Sequence, residues 1–227
     1  MKLDKHDLAW ALTRLPKHLK KIIEDPQWRN IVFVGGGYLR AIVAGETVND
    51  VDVFVPSKTQ AELLAHKLTD DKKNIVETDN AYTVKGKLPI QIIHRWLFSK
   101  PEDVANSFDF TICCAVIFFN GTWDSFCDDR FYIDIASKRL VYRSPVRNED
   151  AGGSMLRVLK YYQKGYRIPL DSLGYVMARM VAKLDTSKID IKNENDVGFV
   201  LTGLLREVDP AIDPFHNAHL PSLTTEQ

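Results

Sequence analysis

The sequence VFVGGGYLRAIVAGETVNDVDVFV, residues Val32 to Val55, decides the fold of this chain. The short apolar run Ile31 to Val34 is typical of a strand buried on both faces. Three glycines, Gly35 to Gly37, then allow positive φ angles and close approach of the backbone to a ligand. Helix-forming residues follow and end at Gly45, a suitable helix stop. The stretch therefore predicts a strand, a glycine turn, a helix and a second strand at Val51 to Val55.

Two features of this stretch suit a nucleotide phosphate and a metal ion. A glycine turn followed by a helix start offers backbone N–H groups and the positive end of a helix dipole. Asp50 and Asp52 lie two apart along a strand, so their side chains leave the same face. Such a pair can bind Mg²⁺, which takes one or two carboxylates plus substrate phosphates. Each feature alone is common in turns, but together, 13 positions apart from Gly37 to Asp50, they favour a phosphate and metal site over a structural pair.

The spacing resembles the head domain of the DNA polymerase beta-like nucleotidyltransferases, of the tRNA CCA-adding enzyme and poly(A) polymerase type. That branch has a Gly-Gly-x-x-Arg-Asp turn, a Leu-Gly helix end and an Asp-x-Asp strand. The resemblance implies that Mg²⁺ or Mn²⁺ binds to the two aspartates and that the glycines hold a nucleoside triphosphate (NTP). It implies that the Arg either pairs with a phosphate or braces the turn, and Ala41 replaces the Asp after it. The matching residues are Gly36, Gly37, Arg40, Gly45, Asp50 and Asp52.

The alternating segment Leu88 to His94 predicts a further strand. In the resembled family, a third strand brings a third carboxylate beside the aspartate pair, where it helps to activate the attacking hydroxyl. By order along the chain, Gln91 occupies that catalytic position. A Gln side chain cannot take a proton and is a weak metal ligand. A nearby carboxylate, Glu77 or Asp79, is the alternative.

A second motif surrounds Asp109. The segment Asp109-Phe-Thr-Ile112 resembles the family's Arg-Arg-Asp-Phe-Thr-Ile-Asn-Ala-Leu, which contacts the nucleotide sugar and phosphates. Ser107 and Phe108 replace the two Arg, and Cys113 replaces the Asn. The resemblance implies a nucleotide contact for Asp109, and a helix cap is an equal alternative.

The region after residue 146 predicts a helical neck. Glu149-Asp150 and Arg157 to Lys160 resemble the neck elements that select the base, which makes Arg157 and Lys160 candidate nucleotide-binding residues. The insertion Ala151-Gly152-Gly153-Ser154 lies between the acid pair and Arg157, so the base-reading pair is not preserved as a unit. The apolar period predicts one helix from Arg147 to Lys164, with Met155, Leu156, Leu159 and Tyr162 on its buried face.

A basic segment runs from Arg130 to Arg167. It carries nine Lys or Arg against three acids, although the formal net charge of the chain is zero. Interleaved tyrosines would add stacking surfaces for an RNA partner such as tRNA, with Arg139 and Arg143 as candidate phosphate contacts. The alternative is a solvated basic face with the tyrosines in the core.

Composition indicates an ordinary globular protein of 227 residues, 45% apolar and 26% charged. Three cysteines without metal-ligand spacing are expected to be reduced and buried, as in a cytoplasmic protein. We detect no signal peptide and no apolar run long enough for a membrane span. We therefore expect an α/β (α+β) fold with a mixed, antiparallel-rich sheet backed by helices. The expected divisions are a head (1–146), a helical neck or cap (147–210) and a loosely ordered tail (211–227).

The sequence favours a Mg²⁺-dependent nucleotidyltransferase that transfers a nucleoside monophosphate from an NTP to an acceptor hydroxyl, with an RNA 3′ end as the expected acceptor. Because Gln91 replaces a carboxylate, a nucleotide- or RNA-binding module without catalysis is a second hypothesis. A transferase that modifies a protein or small molecule is a third.

Overall fold

A computed structural model describes residues 1–143, 151–182, 184–185 and 187–208. A seven-stranded sheet with flanking helices confirms the predicted α/β class. The helices are α1 (Lys5–Arg14), α2 (Lys17–Ile23), α3 (Gly37–Val43), α4 (Lys58–Leu68), α5 (Pro101–Asn106), α6 (Phe131–Ala136), α7 (Ala151–Gln163), α8 (Leu170–Val181) and α9 (Glu194–Val208). The strands are β1 (Phe33–Gly35), β2 (Val51–Phe54), β3 (Ile75–Glu77), β4 (Ala81–Val84), β5 (Ile90–Ile93), β6 (Ala115–Phe119) and β7 (Trp123–Cys127).

The strand order is β3-β4-β5-β2-β1-β6-β7. The β2–β5 pair is parallel and the other pairs are antiparallel, as expected for a mixed, antiparallel-rich sheet. This order places β2 between β1 and β5. Asp52 is therefore in register with Gly35 on one side and with Gln91 on the other.

The two faces of the sheet bury cores of different size. Val51 and Val53 point into the large core, which also takes side chains from α1 to α4. Phe54 points the other way, into a smaller cluster that includes Val104 of α5. Since side chains alternate along a strand, Asp52 shares its face with Phe54. The carboxylates thus leave the sheet on the face with the smaller core.

The strand, turn, helix and strand predicted for residues 32–55 are all present. Helix α3 ends near Gly45, whose φ of 65° is the left-handed value that favours glycine at a helix end. The sequence also predicts a hairpin of Ala115–Phe119 and Thr122–Phe126 with the two-residue turn Asn120-Gly121. That turn is wrong, because Phe119 pairs with Trp123 and leaves three residues, 120–122, in the loop. A short strand is also expected from the sequence at Leu140 to Tyr142, and it is reduced to an isolated bridge between Phe110 and Tyr142.

Helix α7 packs against both α8 and α9, and it also reaches the main core. Val158 and Tyr161 are buried in this core, and Met155 packs against it. The predicted buried face was therefore wrong for Leu159 and Tyr162, which are 50% and 56% exposed. The helix start predicted at Arg147, the Glu149-Asp150 pair, the head–neck boundary and the tail lie outside the described residues.

Two further expectations concern the cysteines and membrane spans. Cys113, Cys114 and Cys127 are buried and free, as predicted. Burial raises the pKa of the Cys127 thiol to about 11, so it is protonated at neutral pH. Among the described helices, none combines the length and apolarity needed to cross a membrane.

Candidate functional site

A cleft of about 320 Å³ opens where β2 and β5 face α7. Its volume lies at the lower end of the range for small-ligand sites. The strands provide carboxylate and amide groups, and the helices provide cations. The described residues that line it are Gly37, Asp50, Asp52, Phe54, Gln91, Ile93, Trp96, Ser107, Phe108, Asp109, Cys113, Ser154, Arg157, Lys160, Tyr161 and Arg179.

The sheet brings together the three residues predicted to be catalytic. Gln91 is in register with Asp52, and its amide Nε2 donates a hydrogen bond of 3.4 Å to Oδ2 of Asp50. The alternative carboxylates are not part of this group. Glu77 lies on β3, where it pairs with Lys58 at 3.1 Å, and neither Glu77 nor Asp79 lines the cleft.

The donor set at this edge of the sheet fits a hard cation such as Mg²⁺ or Mn²⁺. Within the described part of the chain, no group of three or more His, Cys, Asp and Glu side chains could hold a metal ion. Two carboxylates are nevertheless enough for Mg²⁺ when substrate phosphates complete its shell. Asp50 and Asp52 are the residues that would hold such an ion.

The glycine turn approaches Asp52 closely because Gly36 has no side chain. A Cβ atom at Gly36 would lie 2.8 Å from the ring of Phe108 and 3.6 Å from Oδ2 of Asp52. Its φ of 71° also favours glycine. However, the N–H of Gly36 donates to the carbonyl of Ala115 at 3.1 Å, so it is not available to a phosphate as the sequence suggested. Gly37 lines the cleft and begins α3, where the helix itself provides no acceptor for its N–H.

Arg40 is held beneath the turn rather than in the cleft. Its side chain is 3% exposed, forms an ion pair with Glu46 and lies 3.5 Å from the hydroxyl of Tyr166. Burial opposes the charged form, but Tyr161, Glu46 and Tyr166 outweigh it and raise the pKa of Arg40. This arrangement favours the bracing role over a direct phosphate contact.

Asp109 joins the sheet side of the cleft to α7. Its carboxylate, 5% exposed, accepts hydrogen bonds of 2.8 Å from Oγ of Ser154 and from Nε of Arg157. Burial lowers the pKa of Arg157, but the charge and hydrogen bond of Asp109, together with Tyr161 and Cys113, outweigh burial, and the pKa is raised. The helix-cap alternative is wrong, because Phe110 occupies the cap position of the 3₁₀ turn that follows.

Three cations line the helical side of the cleft. Arg157 and Lys160 were predicted from the neck motif, whereas Arg179 of α8 was missed because no motif surrounds it. Its guanidinium donates to the hydroxyl of Tyr142 at 3.1 Å. The two predicted RNA contacts lie elsewhere. Arg139 and Arg143 do not line the cleft, and Arg143 pairs with Asp128.

Comparisons with known proteins assign the chain to a family. A model of the Gabija anti-defense 2 family matches residues 11–138. Gabija anti-defense 2 of Bacillus phage SPbetaL7 is 27% identical over 158 residues, which cover 68% of this chain and 38% of that relative. The chain thus spans less than two fifths of that relative's length.

Solved structures show the same fold. The Thermotoga maritima CCA-adding enzyme complexed with tRNA_CCA is 20% identical, with a TM-score of 0.55 over 80% of this chain and 46% of the enzyme. A CCA-adding enzyme with ATP is 18% identical, with a TM-score of 0.58 over 83% and 47%. The nucleotidyltransferase-like fold implied by the sequence is therefore confirmed. Since the family model covers more than half of the sequence, the chain belongs to the Gabija anti-defense 2 family.

Proposed function

We propose that this chain is a metal-dependent nucleotidyltransferase that transfers a nucleoside monophosphate from an NTP to an acceptor hydroxyl, with an RNA 3′ end as acceptor. The observation that carries the proposal is the division of one cleft into two sides. Asp50 and Asp52 project from the sheet, and Arg157, Lys160 and Arg179 face them from α7 and α8. A nucleoside triphosphate with its metal ion presents charges that complement both sides.

In the proposed reaction, different residues of the cleft bind the triphosphate and hold the metal ion. Gly37 and the three cations bind the triphosphate, and Asp50 and Asp52 hold Mg²⁺ or Mn²⁺. When bound, that ion would offset negative charge on the attacking and leaving oxygens. The acceptor oxygen forms a bond to the α-phosphorus, the bond from the α-phosphorus to the bridging oxygen breaks, and pyrophosphate leaves.

The proton of the attacking hydroxyl needs an acceptor other than Gln91, whose amide cannot take it. Asp109 already accepts bonds from Ser154 and Arg157. We therefore assign proton removal to the Asp50 and Asp52 pair. Gln91 positions Asp50 through its hydrogen bond.

A direct test is pyrophosphate release from each of the common NTPs with Mg²⁺, with and without bulk RNA. We expect release that depends on RNA and is lost in the double variant Asp50→Asn, Asp52→Asn. If pyrophosphate is released only with a protein or a small molecule, that molecule, and not RNA, is the acceptor. If the protein binds nucleotides but releases no pyrophosphate under any condition, it is a binding module without catalysis.

Family membership supports a second proposal at the level of the organism. The family and the phage relative are both described as Gabija anti-defense proteins. We propose that the chain acts against Gabija by means of its transferase site. Bacteria that carry Gabija would plate phage more efficiently when they express the wild-type chain, and not when they express the double Asn variant at equal abundance. Equal protection by both proteins would separate the anti-defense role from the chemistry.

A further inference from the structure

A second and larger groove lies beside the segment that leads into β2, and Thr47 and Val48 of this segment line it. Its volume is about 600 Å³, compared with about 320 Å³ for the cleft. The end of α1, the α1–α2 connection, the residues before β2 and the β4–β5 loop form its walls. The residues that matter here are Arg14, His18, Thr47, Lys85 and Lys87.

The groove is strongly cationic. Arg14, His18, Lys85 and Lys87 are all exposed, and no carboxylate is among its described lining residues. The salt bridges between described residues involve none of these four side chains. Glu46 precedes Thr47 in the sequence, but Arg40 and Lys138 already neutralise its carboxylate. The groove therefore attracts anions.

A cationic path connects this groove to the cleft. Thr47 lines both the groove and a small cavity of about 30 Å³. That cavity shares Gly37, Asp50 and Lys160 with the cleft, and Lys164 also lines it. Lys164 lies 3.9 Å from the carboxylate of Glu46, which Arg40 and Lys138 also contact, so three positive charges surround one negative charge beside the connection.

An exposed aromatic side chain stands beside the groove. Trp10 is 50% exposed, and the guanidinium of Arg14 lies 5.1 Å from the centre of its ring. Trp10 and Arg14 are one turn apart on α1, so the indole and a groove cation form one surface. Aromatic and Arg planes of this kind stack unpaired bases.

We propose that the groove holds the backbone of a single-stranded nucleic acid whose 3′-terminal hydroxyl enters the cleft. This inference rests on the proposed nucleotidyltransferase function and names the surface that selects its acceptor. A nucleic acid strand joins a terminal hydroxyl to a row of phosphates, which matches a carboxylate site at the end of a cationic path. The exposed Trp10 favours a strand with free bases over an acidic peptide, which has nothing to stack. Arg139 and Arg143 would then contribute little to this binding.

The test measures the binding of end-labelled RNA and DNA strands of about 15 nucleotides and identical sequence by fluorescence anisotropy, from about 50 to 200 mM KCl. Lys85→Ala with Lys87→Ala removes two groove cations. Lys67→Ala with Lys100→Ala is the matched control, because both lysines are exposed and line none of the three cavities. For the groove variant we expect a salt slope flatter by about 1.4, or two single-strand phosphate contacts. The control should keep the wild-type slope.

Trp10→Ala separates stacking from charge. We expect roughly tenfold weaker binding with an unchanged salt slope, since base stacking is sequence-tolerant and uncharged. Tighter binding of RNA than of DNA would identify RNA as the acceptor, and the reverse would identify DNA.

Two results would overturn the proposal. One is an equal change in slope for the groove and control variants, and the other is binding of a poly-glutamate peptide but of neither strand. Pyrophosphate release, measured on the same proteins, keeps this inference separate from the proposed function. Release without groove-dependent binding would reject the groove alone, and groove-dependent binding without release would reject the chemistry alone.

Discussion

At the scale of single residues, Asp52 determines whether the cleft is a metal site. Asp52→Asn should reduce transfer by roughly 10²–10⁴-fold, or about 3–5 kcal/mol of barrier. Stability without metal should hardly change, because two neighbouring carboxylates repel each other. Mg²⁺ should raise the Tm of the wild type but not that of the double variant Asp50→Asn, Asp52→Asn. An equal Mg²⁺ effect on both proteins would end the metal-site proposal.

Gln91 tests whether the site has adapted to the missing third carboxylate. Its amide donates to Asp50, and Gln91→Glu would replace this donor by a third negative charge with almost the same shape. We expect a lower Tm without metal and a lower rate of transfer. The two effects are measured by thermal unfolding with and without Mg²⁺ and by pyrophosphate release. A faster enzyme or a lower pH optimum in Gln91→Glu would instead show that only proton removal had been lost.

Residue identity alone could not give the roles of Gly36 and Arg40. The motif placed Gly36 at the phosphate site and left Arg40 either there or as a brace of the turn, and both residues do lie at the glycine turn. Yet the N–H of Gly36 is bonded to Ala115, and the guanidinium of Arg40 is paired with Glu46 and lies 5.2 Å from the centre of the Tyr161 ring. Ala115 lies on β6, Glu46 follows α3 and Tyr161 lies on α7. A local motif contains no information about such long-range contacts.

At the scale of elements, the segment that follows α3 is held by charge. Glu46 is paired with the buried Arg40 and with Lys138. Burial would raise the pKa of Glu46, but the two cations outweigh it and lower the pKa below its ordinary value of 4.5. The ionised form is therefore the stabilising one. The contribution of ionised Glu46 to the free energy of unfolding is fully present above about pH 4.5. It is lost as the pH falls through the lowered pKa of Glu46 in the folded state.

Glu46→Gln should destabilise the protein by about 3 kcal/mol near neutral pH, because it leaves the Arg40 charge buried without its partner. The difference from the wild type should shrink as the pH falls below about 4.5, since protonation removes the same charge from the wild-type protein. Urea unfolding across this pH range measures both effects. Glu77→Gln is a matched control at an exposed salt bridge and should change stability little at any pH. If Glu46→Gln lowers the free energy of unfolding by the same amount at every pH, packing and not charge stabilises this segment.

Elements with strong local signals were predicted well, and elements decided by packing were not. The sequence also predicts a helix cap at Asp4, a helix cap at Ser57 and a helix from Glu194 to Val208, and all three are present. In α7, the apolar period pointed to Leu159 and Tyr162, but Val158 and Tyr161 are the side chains that enter the main core. Apolar residues occur all around this helix, so its period alone could not choose between faces.

At the scale of the whole molecule, the sequence predicted the sheet side of the cleft but only two of the three cations on its helical side. The sheet side follows from strand order and side-chain alternation, which place Asp50, Asp52 and Gln91 together. The closing side depends on how α7 and α8 sit on the sheet. Arg179 reaches the cleft only through that packing, and Asp109 turned out to be a link between the sheet and α7.

Asp109 therefore provides the last prediction, on how the molecule holds its cleft together. Asp109→Asn should weaken the link to Arg157 and Ser154 and cost about 2 kcal/mol, because it removes a charge-assisted hydrogen bond from the buried carboxylate, whereas water still reaches the Arg157 side chain, which is 42% exposed. Ser154→Ala, which removes one hydrogen bond and no charge, should cost only about 1 kcal/mol.

Hydrogen exchange decides whether Asp109 acts across the molecule or only locally. If the link closes the cleft, the amides of α7 should exchange faster in Asp109→Asn, while those of β1 and β2 keep their protection. NTP affinity should fall in parallel, since Arg157 and Lys160 move with the helix. If stability falls but exchange changes equally in α7 and the sheet, Asp109 is only part of a common core. The helix would then be held to the sheet by apolar contacts such as those of Val158 and Tyr161.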